Sequence, residues 1–122
     1  MSLIARDDLV GLVSIAYNLI SVGQVLQGRE MLMKLSEVYH DNQTINCGIA
    51  FSYLVVDEFE TGDSMLARLL DRDDVFDDTI SIAVLSKFLQ KDMESVRVLA
   101  ARIQDKDSTA QKLVDSLLDF NQ

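Results

Sequence analysis

The chain has 122 residues, enough for one domain with a core of its own, and its 48% hydrophobic and 25% charged composition excludes a disordered chain. Eleven Lys+Arg against twenty Asp+Glu give a formal charge of -9, a field that repels phosphate backbones and anionic headgroups. No nucleic-acid partner and no membrane partner are therefore expected.

The first residues, Met-Ser-Leu-Ile-Ala-Arg-Asp-Asp, put acids where an export signal needs a basic segment followed by an apolar run. With a single cysteine, Cys47, no internal disulfide can form, and the expected compartment is the reducing cytoplasm. Zero prolines and only five glycines speak against a turn-rich β fold. Leu9, Leu12, Val13, Ala16, Tyr17, Leu19 and Ile20 recur at three-to-four spacing and predict an amphipathic helix. Met31, Leu32, Leu35, Val38 and Tyr39 predict a second. The polar connections Ser21-Val22-Gly23-Gln24 and His40-Asp41-Asn42-Gln43 are short enough to set such helices antiparallel. The apolar stretches Leu9–Ile20 and Cys47–Val56 are too short to cross a bilayer.

Shifting the chain against itself by 34 residues aligns apolar with apolar. Ile15, Ile49 and Ala83 coincide, as do Ala16, Ala50 and Val84, then Ile20, Leu54 and Phe88. The second half of the unit continues with Gly28, Gly62 and Val96, then Leu32, Leu66 and Ala100, then Leu35, Leu69 and Ile103. Turns fall at Gly23-Gln24-Val25, Asp57-Glu58-Phe59 and Lys91-Asp92-Met93. Small residues at Ala16, Ala50, Gly28 and Gly62 predict close helix crossings, where a large side chain would hold two helices apart. Two helices per 34 residues is the tetratricopeptide period. The chain resembles that family over repeats at about 9–42, 43–75 and 76–107, in spacing more than in consensus letters. Leu12 and Asn46 stand where the family has an aromatic, and the terminal proline is missing. Ser108 or Thr109 can cap a last helix at 108–120, whose Ala110, Leu113, Val114, Leu117 and Leu118 form a stripe that covers the array's end, while Gln111, Lys112, Asp115 and Asp119 face water. The expected fold is all-α, an α-α superhelix of about three tetratricopeptide-like hairpins plus a C-terminal capping helix, in a single domain of seven helices.

The resemblance implies that the first helix of each pair lines a concave groove. On that template Val10, Val13, Tyr17 and Ile20, then Cys47, Phe51 and Leu54, then Ile82, Leu85 and Phe88 form the partner-binding wall. Such a wall suits the apolar face of a partner helix, or else collapses into the core. Capture of a carboxylate tail, the family's other mode, needs cations, and Val13, Tyr17, Gly48, Asp78 and Ile82 supply none.

Asp71, Asp73, Asp74, Asp77 and Asp78 do not make a calcium loop, because Val75, Phe76 and Ile82 occupy required positions. They read as a turn followed by a helix start, where acids favour the dipole. His40 and Cys47 lack a third catalytic member, and phosphate loops, zinc spacings and nucleophile elbows are missing. No cofactor, no metal and no enzymatic activity are expected. The combination resembles the small cytoplasmic chaperones of bacterial type III secretion that hold a needle subunit. That resemblance implies a groove clasping an amphipathic helix of the export substrate, a second small helical chaperone in the complex, and self-association when the groove is empty. The alternative is a general adaptor that tethers two proteins without chaperoning either.

Overall fold

The computed structural model describes residues 6–120, with side chains from residue 8. The opening residues 1–5, read above for an export signal, lie outside them. The described residues form seven helices: α1 (Arg6–Ser21), α2 (Val25–Val38), α3 (Gln43–Leu54), α4 (Phe59–Leu70), α5 (Asp77–Leu89), α6 (Met93–Ala100) and α7 (Thr109–Phe120). The all-α expectation holds, and no strand occurs among the described residues. None of these helices is long and apolar enough to cross a membrane. Contacts group the chain into two compact units, one ending at Gly62 and one beginning at Asp63. The division falls inside α4.

The 34-residue period is written in the backbone. Gly23, Asp57 and Lys91 all adopt a left-handed conformation, with φ of 95°, 65° and 63°. After each first helix the same pair of hydrogen bonds closes the end. Gly23 N–H donates to Ile20 O and Gln24 N–H to Leu19 O, at 3.2 and 2.8 Å. Asp57 and Glu58 repeat this on Leu54 and Tyr53 at 3.1 and 2.9 Å, and Lys91 and Asp92 on Phe88 and Lys87 at 3.0 and 2.9 Å. This is the Schellman ending, which satisfies carbonyls the helix would otherwise leave unpaired. Polar caps start other helices: Asn42 accepts from Ile45 N–H in α3, Asp92 from Ser95 N–H in α6 and Ser108 from Gln111 N–H ahead of α7, at 3.0, 3.2 and 3.0 Å.

In the first unit α1 packs on α2 and α2 on α3, and α1 also touches α3. Val13, Ala16, Ile20, Leu32, Leu35, Ile45, Ala50 and Leu54 fill its core. The small residues sit where the hairpins cross. A Cβ on Gly28 would come within 2.7 Å of the Ala16 carbonyl oxygen, and one on Gly62 within 3.2 Å of the Ala50 carbonyl oxygen. In the second unit α5 packs on both α6 and α7. Ile80, Val84, Val96, Ile103, Ala110 and Val114 form the core, with Leu117 and Leu118 against it. Val84 and Val96, at the places of an alanine and a glycine in the first hairpin, are both fully buried.

A polar clamp joins successive hairpins at another 34-residue match. Arg29 of α2 donates from Nε to Ser52 Oγ at 2.8 Å and from Nη2 to the Ser52 carbonyl at 3.0 Å, and its guanidinium lies 3.8 Å over the Tyr53 ring. One period on, Asp63 of α4 accepts from Ser86 Oγ, from Lys87 Nζ at 3.1 Å and from Gln90 Nε2 at 2.9 Å, all of them on or just beyond α5. Ser52 and Ser86 are fully buried, so their hydroxyls need such partners. The charge inverts from Arg to Asp while the place is kept.

Burial opposes ionisation of Asp63, but hydrogen bonds from Ser86, Gln90 and Lys87, with the charge on Lys87, outweigh it and hold the carboxyl below its ordinary value of 3.8. A depressed carboxyl contributes stability that is complete above the unfolded value and is lost as pH falls through the folded one. The stability difference between wild type and Asp63→Asn should therefore be largest above about pH 5 and shrink on acidification below 3.8. Urea unfolding of both proteins across that range measures it, and a pH-independent difference would show that the clamp does not need the charge.

Candidate functional site

The residues proposed for partner binding divide by burial. Val13, Ile20, Cys47 and Leu54 are 8, 2, 3 and 0% exposed and belong to the core of the first unit. Tyr17 and Phe51 are half-buried, and Val10 is 59% exposed. The reason for the split is that α1 and α3 touch directly, so residues between them have neighbours on every side. Ile82, Leu85 and Phe88 of α5 are half-buried.

Tyr17 and Phe51, one repeat apart, stack with ring centroids 6.0 Å apart and planes inclined by 19°. The Tyr17 hydroxyl donates to the Thr44 carbonyl at 2.7 Å. Its ring lies directly over Gly48, where a Cβ would come 2.9 Å from Cε2 and Cζ, and 2.7 Å from Leu32 Cδ1. Glycine at this point lets the ring lie flat against α3. The result is a rigid aromatic surface, held by a hydrogen bond at one end and a stack at the other. Aromatic side chains presented this way lose little rotamer freedom on binding and are favoured at protein interfaces.

In the second unit Phe88 meets Phe120 of α7 edge to face, with centroids 6.4 Å apart and planes at 70°. Phe88, Leu89, Lys91, Met93 and Phe120 line an open cleft of about 480 Å³. Phe120 is 83% exposed. This cleft was not foreseen. A signal existed in the sequence, since Phe120 continues the α7 stripe from Leu117, but its pairing with Phe88 depends on α7 lying along α5.

Asp74 is held below its ordinary value by a two-point hydrogen bond from Arg72, at 2.8 and 3.0 Å. Asp77 lies in the first turn of α5, as expected, and also accepts the backbone N–H groups of Gln104 and Asp105, both at 3.0 Å; these bonds lower its pKa. It ties the start of α5 to the segment before α7. His40 Nδ1 lies 3.1 Å from the Ser36 carbonyl, and Cys47 is buried in α3. Among the described residues no group of three or more His, Cys, Asp or Glu side chains is placed to share a metal ion. Gln111, expected in water, is half-buried, and its side-chain amide donates to Asp115 at 2.8 Å.

No family model, no curated protein and no solved structure matches the chain.

Proposed function

We propose that the chain is a tetratricopeptide-like protein-binding module that acts as a chaperone, holding the apolar face of a partner's amphipathic helix on the Tyr17–Phe51 surface. The observation that supports this reading is the stacked, pinned and half-exposed aromatic pair itself. A surface that is fixed in advance spends less free energy on ordering when a partner arrives. The resemblance drawn from the sequence makes the partner an export substrate such as a needle subunit, held in the cytoplasm together with a second small helical chaperone. The adaptor reading is favoured by a separate observation, the Phe88–Phe120 cleft, which gives the second unit an apolar surface of its own.

A synthetic amphipathic helix of about five turns, with leucines along one face and uncharged polar residues elsewhere, tests the proposal by fluorescence anisotropy. It should bind the wild type, and Phe51→Asp should weaken it by about thirtyfold or more. Equal binding by the variant, or by a scrambled peptide, would overturn the assignment. Under the adaptor reading Phe88→Asp leaves that binding intact and removes a second, independent site.

A further inference from the structure

The hairpins are equivalent by sequence, yet one set of equivalent positions is covered in the second and third and bare in the first. Ile49 and Ala83 are 7 and 3% exposed, whereas Ile15, their counterpart in α1, is 51% exposed. Ser52 and Ser86 are fully buried under Arg29 and Asp63, whereas Asn18 is exposed. The face of α1 that these residues mark is the face on which a preceding hairpin's second helix would lie.

The complementary face is bare on α6, within the second unit. Arg29 and Asp63 have side chains 14 and 25% exposed because the next helix lies against them. Arg97 of α6 occupies the same repeat position and is exposed. The last helix packs along α5 and leaves Arg97 uncovered. Among the described residues the chain thus carries both halves of its own inter-hairpin contact, and both are exposed.

We propose that copies of this chain associate head to tail, α6 of one covering the Ile15–Asn18 face of α1 in the next. Arg97 then donates to the Asn18 side-chain oxygen, as Arg29 donates to Ser52 within the chain. Gln24, at the repeat position of the Glu58 that lies 4.0 Å from Arg29, offers a second acceptor. An interface of this kind uses two different surfaces, so it propagates into open chains unless it closes into a ring. It is independent of what the Tyr17–Phe51 surface binds.

Sedimentation velocity on the full chain, from low micromolar to near-millimolar concentration, tests this with two variants. Wild type should form species that lengthen with concentration. Ile15→Asp and Arg97→Glu should each weaken association by about tenfold or more, while helical circular dichroism stays unchanged. Mixed together, the two variants should form a one-to-one dimer and nothing larger, because each keeps the face the other has lost. Phe51→Asp should associate like wild type. A wild type that stays monomeric, an Arg97→Glu that associates normally, or an equimolar mixture without the dimer would each overturn the proposal.

Discussion

Gly28→Ala should destabilise the protein, and Gly62→Ala should do so much less, although both sit at the same place in successive repeats. Alanine improves helix propensity by about 1 kcal/mol over glycine, which alone would favour both changes. At Gly28 the added carbon would stand 2.6 Å from Ile20 Cγ1 and 2.7 Å from the Ala16 carbonyl oxygen. A backbone oxygen cannot rotate away, so α1 and α2 must separate around a core that includes Ala16 and Ile20, both nearly inaccessible. Overpacking of this kind costs about 1–3 kcal/mol, more than the propensity gain. At Gly62 the short contact is with Leu54 Cδ2 at 2.5 Å, the end of a side chain, and the Ala50 oxygen is 3.2 Å away. Urea denaturation followed by far-ultraviolet circular dichroism measures both. A Gly28→Ala protein as stable as wild type would mean that the α1–α2 crossing is looser than described.

Leu54→Asp should unfold the protein, while Phe51→Asp, three residues earlier on the same helix, should leave its helical spectrum intact. Leu54 is 0% exposed, and burial of a leucine contributes about 1.5–3 kcal/mol. Replacement with aspartate removes that contribution and sets an unpaired carboxyl in the buried interior of the first unit, beside Gly62, a loss comparable to the 5–15 kcal/mol that stabilises a typical domain. Phe51 keeps one side in solvent, so a carboxylate there remains hydrated. Circular dichroism with thermal melts separates the two. A folded Leu54→Asp would place Leu54 at a surface, and an unfolded Phe51→Asp would make the aromatic stack part of the core.

Helix order and turn positions were legible because apolar spacing and the 34-residue self-match depend only on local sequence. The crossings at Gly28 and Gly62 could be read for the same reason, since glycine inside a helix has few explanations other than close packing. Hydropathy could not say which of Val13, Tyr17, Ile20, Cys47, Phe51 and Leu54 stays half-exposed and which is buried against another helix. All six are apolar or weakly polar, and the difference lies in how closely α1 approaches α3. Gly48 held that information, because a side chain there would push the Tyr17 ring away. The Arg29–Ser52 and Asp63–Ser86 clamps escaped notice because their letters differ between repeats. Matching the two buried serines, rather than the apolar columns, would have exposed them. Asp77 was placed at the correct helix start, but its partners Gln104 and Asp105 are remote in sequence and no periodicity reports them.

At Gly23, Asp57 and Lys91 the same bend is made by a residue with no side chain, one with an acid and one with a base. What recurs is main-chain architecture, and the decoration at these corners can drift in polarity without altering where the following helix sets off. Outward chemistry can thus vary from corner to corner while the spacing of the corners stays constant, which is how dissimilar letters come to encode one recurring bend.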